Sequence, residues 1–78
     1  MQKKQSLQRK LLKTLGLNIK YYRTKLNMTQ EQLAFECGLE RSYITALENG
    51  SKSPSLYCLA VLSNKLKIQL KELVDISI

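Results

Sequence analysis

The segment from Gln30 to Asn49, QEQLAFECGLERSYITALEN, constrains the fold of this chain more than any other part. Its apolar residues recur at helical spacing on both sides of Gly38. Ala34 places a methyl-sized side chain where a second helix could cross closely. Two short helices hinged at a glycine are the pattern of a helix-turn-helix. The expected core positions of the motif, to which we assign no chemistry, are Leu33, Ala34, Leu39, Ile44 and Leu47.

Capping residues predict the limits of these two helices. Thr29 is a good N-cap and Gln32 completes a capping box, so the first motif helix is predicted over Gln30 to Cys37. Gly38 supplies the left-handed residue that ends it. The second motif helix is predicted from about Glu40 to Asn49.

Two further helices are predicted after the motif. Ser55, preceded by Pro54, is the expected N-cap of a fourth helix, which Lys67 closes. A short fifth helix is expected over about Gln69 to Val74. No strand signal is present, so the fold class is all-α, a compact bundle of four to five short helices. The residues expected on the inner sides of these helices are Leu56, Leu59, Ala60, Leu66, Leu70 and Leu73.

The N-terminal segment admits two alternatives. Its apolar residues recur at steps of four and three, but Gly16 interrupts the segment. Either a single long helix forms, or a basic arm precedes a helix that starts near Leu17. We favour the arm, because the first six residues, MQKKQS, are polar and chain ends are commonly mobile. The chain is divided into a basic arm or helix extension (1–16), a helix-turn-helix domain (17–74) and a tail (75–78). The recurring apolar residues are Leu7, Leu11, Leu15, Ile19, Tyr22 and Leu26.

Basic residues are concentrated at one end of the chain. The first 30 residues contain eight lysines and arginines and no acid, whereas the remaining 48 contain five basic and six acidic residues. A basic segment favours a polyanionic partner, and nucleic acid before a membrane surface. A solvated basic face would explain the charge equally well, but the second helix of a helix-turn-helix can enter the DNA major groove, which favours nucleic acid.

Several classes of protein are disfavoured by composition. With 78 residues we expect one small domain, for which dimerisation would add stability. No membrane-length apolar run or signal peptide is visible, so we expect a soluble cytoplasmic protein. Cys37 and Cys58 are too few for a zinc site and are expected to be core residues. There is no histidine, and the six acids are scattered. We therefore expect no enzyme, no metal and no cofactor.

The residues that carry a family resemblance are MTQEQLA, Gly38, the YI-x-x-LENG ending of the second motif helix, and PSL at the start of the fourth helix. Over Leu17 to Val74 the chain closely resembles the Xre/Cro-type, lambda-repressor-like helix-turn-helix regulators. That resemblance implies a bundle of four to five helices that binds operators as a dimer. The segment RSYIT is most similar to controller proteins of restriction–modification systems, and it also occurs in phage and chromosomal repressors.

The resemblance and the motif together indicate which residues meet DNA. Gln30 matches a residue that hydrogen-bonds a backbone phosphate from a helix N-terminus. Arg41 and Ser42 start the second helix, where Arg41 could give a bidentate contact to guanine and Ser42 could bind a base or cap the helix. Thr45 and Ala46 lie one turn later, where their methyl groups could touch thymine.

Other positions near the motif have less definite roles. Glu40 could accept a hydrogen bond from cytosine, pair with Arg41 or interact favourably with the positive end of the helix dipole. We prefer the interaction with the helix dipole. Tyr43 could pack beside Ile44 or reach a phosphate. Family members often have a basic residue where Ala46 and Ser51 stand here. Phosphate contact from the loop would therefore depend on Asn49, Lys52 and, secondarily, Ser51.

The family also implies a structural ion pair. Arg23 is expected at the end of the first helix and Glu48 at the end of the second motif helix. In the family these positions form a partly buried salt bridge that holds the two helices together.

We interpret the chain as a homodimeric, sequence-specific DNA-binding transcriptional regulator of bacterial or phage type that binds a palindromic operator. If the protein activates transcription, RNA polymerase is a further partner, contacted through Glu31 and Glu36. The alternatives are an antitoxin that binds a toxin and autoregulates its operon, and an RNA-binding or non-specific nucleoid protein. The expected dimer residues are Leu70, Val74, Ile76 and Ile78.

Overall fold

Five helices follow one another in a computed structural model that describes the backbone of residues 2–77 and the side chains of residues 6–77. Over those residues no strand forms, which confirms the all-α bundle. No helix among them is long and apolar enough to cross a membrane. The helices are α1 (Gln2–Lys25), α2 (Gln30–Cys37), α3 (Arg41–Glu48), α4 (Leu56–Lys65) and α5 (Leu70–Leu73).

The first helix is the long alternative, and the preferred arm with a helix starting near Leu17 is wrong. α1 continues through Gly16, although glycine weakens a helix interior by about 1 kcal/mol. The reason lies in α3: a Cβ atom on Gly16 would be 2.5 Å from the carbonyl oxygens of both Leu47 and Glu48. Gly16 therefore marks the place where α1 passes close to the end of α3, and it does not break the helix.

The two motif helices begin and end almost where their caps predict. The Thr29 hydroxyl accepts from the amide of Gln32, and the Gln32 side chain accepts from the amide of Thr29. Gly38 has φ of 68° and ends α2. α3 is one residue shorter at each end than predicted, because Glu40 and Asn49 are its flanking caps.

The fourth helix turns a different side to the core from the one predicted. Its Ser55 cap is present, with the hydroxyl accepting from the amide of Cys58 at 3.0 Å. Leu56 is 72% exposed and Ala60 is also exposed, so both inner-side assignments are wrong. Apolar residues lie on more than one side of this helix, which made its sequence pattern ambiguous. The side facing the core carries Leu59, Leu62, Ser63 and Leu66.

Each of the five helices contributes buried apolar side chains to a single core. The predicted motif residues are buried except Leu39, which is half-buried and packs against the others. Of the apolar residues that recur along the N-terminal segment, only Leu15 and Ile19 are buried. The first turns of α1 extend beyond the bundle, which leaves Leu7 49% exposed. The buried apolar residues are Leu15, Ile19, Leu33, Ala34, Ile44, Leu47, Leu62, Leu66 and Leu73.

The two cysteines are free thiols that pack at the edge of this core. Burial, with a smaller effect from the neighbouring Cys58, raises the pKa of the Cys37 thiol to about 11. Burial also raises the pKa of Cys58. Both thiols are therefore protonated at neutral pH, which agrees with the packing role expected of them.

The end of the chain folds back onto α1. The Asn18 amide donates to the carbonyl oxygens of Leu73 at 3.0 Å and Asp75 at 3.3 Å, which ties the end of α5 to the first helix. Among the expected dimer residues, Val74 is exposed, whereas Ile76 is half-buried against the core. Ile78 lies outside the described residues.

Candidate nucleic-acid interface

A buried ion pair connects the first helix to the end of the second motif helix. The Arg23 Nε donates to Glu48 Oε2 at 2.6 Å, and its Nη2 donates to Oε1 at 3.0 Å. The two side chains are only 9% and 3% exposed. The third nitrogen, Nη1, donates to the Met28 carbonyl at 2.7 Å. The ion pair expected from the family resemblance is therefore present, and it also holds the turn that leads into α2.

The same carboxylate extends the network to the start of α2. Gln30 Nε2 donates to Glu48 Oε1 at 2.9 Å, and the Thr45 hydroxyl donates to Gln30 Oε1 at 2.7 Å. Thr45 also lies 3.2 Å from the Arg41 carbonyl. Gln30 and Thr45, each predicted to contact DNA independently, are thus hydrogen-bonded to each other. We call the four side chains Arg23, Glu48, Gln30 and Thr45 the motif network.

The N-terminal end of α3 is open to solvent. Arg41 and Ser42 are exposed, and among residues 6–77 their side chains have no hydrogen-bond partner or ion pair. Glu40 is exposed at the N-cap position and makes no capping hydrogen bond. The proposed Glu40–Arg41 pair is absent in this part of the chain. Arg41 and Ser42 are therefore available to a ligand as they stand.

Tyr43 occupies a different side of α3 from these residues. It is half-buried and packs against the core on the side of α4. Burial, followed by the neighbouring Cys58 thiol, raises the pKa of its hydroxyl. The structure thus supports the packing alternative for Tyr43, and its contact with DNA stays a prediction.

The turn after α3 lies against the first helix. Gly50 has φ of 77°, and a Cβ atom there would be only 3.0 Å from the Cα of Lys13. Ser51 folds back, with its hydroxyl donating to the Ala46 carbonyl at 3.1 Å. Asn49 and Lys52 are exposed. Of the three loop residues considered for phosphate contact, Ser51 thus has its hydroxyl turned inward.

The structure places the predicted residues other than Tyr43 in three regions: the start of α2, the first turns of α3 and the turn after α3. Tyr43 lies on the side of α3 that faces α4. Sequence reasoning missed the bond between Gln30 and Thr45, which depends on how two helices cross and has no local signal. It also missed that Lys13 lies beside the turn. The charge of the N-terminal segment was visible in the sequence, but its position was not.

Comparisons with known proteins identify this arrangement. A family model described as helix-turn-helix matches residues 19–73. The control protein C.BamHI of Bacillus amyloliquefaciens is 46% identical over 52 residues, which make up 67% of this chain and 64% of that protein. The aligned part therefore spans slightly less than two thirds of that relative's length.

Two solved structures have the same arrangement of helices. The restriction–modification controller protein C.AhdI from Aeromonas hydrophila superposes with a TM-score of 0.78 at 37% identity, over 80% of this chain and 94% of that one. The controller protein C.Esp1396I, solved as a tetramer in complex with its natural 35 base-pair operator, superposes with a TM-score of 0.71 at 29% identity. That superposition covers 82% of this chain and 95% of that one.

Proposed function

Because the chain belongs to the helix-turn-helix family, we propose that it is a sequence-specific DNA-binding transcriptional regulator. The observation that carries the proposal is the exposed start of α3, where Arg41 and Ser42 have no intramolecular partner among the described side chains. The residues behind them are fixed by the buried motif network. A rigid helix with free polar side chains at its tip is suited to reading base edges in a major groove.

Each part of the interface has a distinct role in this proposal. Arg41 donates to guanine O6 and N7, the commonest specific base contact. Gln30 retains one amide hydrogen for a phosphate, beside the open backbone amides at the start of α2. Thr45 presents its methyl group, because its hydroxyl is bonded to Gln30. Asn49 and Lys52 contact phosphate from the turn, and Tyr43 is a further candidate.

The functional unit we propose is a homodimer on a palindromic operator. Its two α3 helices would enter successive major grooves about 34 Å apart. The resemblance to controller proteins favours a role in a restriction–modification system. Glu31 and Glu36 are exposed on α2 and are candidates for contact with RNA polymerase when the protein activates.

Substitution of Arg41 tests the proposal. A preferred duplex would first be selected from a randomised pool with the wild-type protein. Arg41→Ala should weaken binding to that duplex by about 1–3 kcal/mol and relax the preference at one base pair. The measurement is a titration on the selected duplex and on all single-base variants of it.

Glu36→Ala, which changes an exposed residue near the C-terminal end of α2, is the control and should leave base preference unchanged. Equal weakening of Arg41→Ala on every duplex would make Arg41 a phosphate contact. Failure of the wild-type protein to enrich any sequence would refute sequence-specific binding.

A further inference from the structure

We infer that the N-terminal part of α1 is a second phosphate-binding surface, which extends the DNA contact beyond the helix-turn-helix. This inference rests on the proposed function and adds a site to it. The family match covers residues 19–73, so Arg9, Lys10 and Lys13 on α1 lie outside the matched part of the chain. Lys52, from the turn after α3, lies within it. We call these four residues the flanking basic surface.

The position of this surface follows from the packing of Gly50. A Cβ atom on Gly50 would be 3.0 Å from the Cα and 3.1 Å from the backbone nitrogen of Lys13, so the turn after α3 touches α1 at that residue. Arg9 and Lys10 precede Lys13 by four and three residues, and such residues are neighbours on a helix surface. The basic residues of α1 therefore lie beside the turn that carries Lys52.

The charge of this surface is uncompensated within the described part of the chain. Its four members are exposed, and the only ion pair among residues 6–77 is Arg23 with Glu48. The first acid in the sequence is Glu31, so α1 itself contains no carboxylate to neutralise them. A cluster of free cations attracts a polyanion.

A DNA backbone fits this surface better than another polyanion because of where the surface lies. Lys52 belongs to the turn proposed to contact phosphate, and the basic residues of α1 continue from that turn along the helix. Arg9 and Lys13 are about 6 Å apart along the helix axis, since a helix rises by about 1.5 Å per residue. Neighbouring phosphates along one DNA strand are separated by a distance comparable to that between Arg9 and Lys13. The sugar-phosphate backbone of one DNA strand can therefore contact successive turns of α1.

The test compares two double substitutions that remove the same charge. Arg9→Gln with Lys10→Gln removes two members of the flanking basic surface. Lys65→Gln with Lys67→Gln is the matched control. Lys65 and Lys67 line a groove with Leu26, just beyond the C-terminal end of α1 and roughly 24 Å from Lys10 by the helical rise. Gln is a good helix former, so α1 should keep its helicity, which circular dichroism would verify.

The readout is the salt dependence of binding to the selected duplex and to a scrambled duplex. Each lost phosphate contact should reduce the slope of log K against log salt by about 0.9. We expect the Arg9/Lys10 variant to lose about 1–2 units of slope. Its affinity loss should be about 4- to 16-fold larger at 50 mM than at 200 mM salt. The loss should be the same on both duplexes, because phosphate contacts carry no sequence information.

Two results would overturn the inference. The first is an unchanged slope for the Arg9/Lys10 variant; if that variant instead loses binding to vesicles that contain anionic lipid, the surface belongs to a membrane contact. The second is an equal change of slope for the Lys65/Lys67 control, which would indicate a net-charge effect. Lys13→Gln gives an independent check on the same helix face.

This outcome is separable from that of the proposed function. If the Arg9/Lys10 variant has an unchanged salt slope while the wild-type protein still prefers the selected duplex, only the contact through the flanking basic surface is refuted. Absence of any sequence preference in the wild-type protein would refute only the proposed regulator, since the slope comparison needs no preferred sequence.

Discussion

Glu48 is the residue on which the geometry of the interface depends most. Its carboxylate accepts from Arg23 twice and from Gln30 once while remaining buried. Glu48→Ala leaves the Arg23 guanidinium buried with only the Met28 carbonyl as partner. We expect the free energy of unfolding to fall by about 3–5 kcal/mol, as when one partner of a buried ion pair is removed. Urea unfolding would measure the change.

The control for Glu48 is Glu36→Ala, which changes an exposed carboxylate and should alter stability by no more than about 0.5 kcal/mol. Replacing both partners of the pair, as in Arg23→Met with Glu48→Leu, should recover much of the loss, because no charge then remains buried. A loss for Glu48→Ala no larger than that for Glu36→Ala would show that the pair is not buried in solution.

At the scale of the helix, Gly16 determines how α1 and α3 meet. Gly16→Ala would favour the helix by propensity, by about 1 kcal/mol. The new Cβ would nevertheless lie 2.5 Å from two backbone carbonyl oxygens of α3, so the helices must separate. We expect a net destabilisation of about 1–3 kcal/mol, as for other overpacked sites. Thermal unfolding would measure it.

Lys20→Ala, at an exposed position of the same helix, is the matched control and should leave the melting temperature nearly unchanged. A gain in stability for Gly16→Ala, as propensity alone requires, would mean that the close approach of α1 to α3 is absent.

Helix limits were predictable where the signal is local. Thr29, Gln32 and Gly38 are capping residues within a few positions of the ends they define, and α2 has the predicted bounds. Gly16 was misinterpreted because the reason for a glycine there is the end of α3, more than 30 residues away. Leu56 was assigned to the core because apolar residues alone do not show which side of α4 is covered.

In the candidate site, too, the features that depend on local sequence were predictable and those that depend on helix packing were not. Arg41 and Ser42 follow from their place at the start of a motif helix. The bond between Gln30 and Thr45 required the relative position of two helices, and the sequence contains no pattern for it.

At the scale of the whole molecule, the apolar surface at the end of the chain is the proposed dimer interface. Val74 is 39% exposed beside half-buried Leu70 and Ile76. Val74→Glu would place a charge in that interface, and we expect the dimer to dissociate. Sedimentation velocity would measure it, and the melting temperature of the wild-type dimer should rise with protein concentration.

Phe35→Ser is the control for the interface, because Phe35 is an exposed apolar residue on a different helix, α2, and is 84% exposed. Dissociation by Phe35→Ser with an intact Val74→Glu dimer would move the interface to the α2 side. A wild-type protein that is a monomer both free and on DNA would rule out the dimer.

The hydrogen bond between Gln30 and Thr45 has a consequence for how binding specificity can evolve. Thr45 is bonded to a residue that itself holds the buried Glu48, so exchanging it disturbs folding as well as recognition. Arg41 and Ser42 have no such partners among the described side chains, so we expect mutations there to leave the scaffold intact. A descendant that acquires a new operator can therefore change residues 41 and 42 first, while position 45 stays under selection for stability.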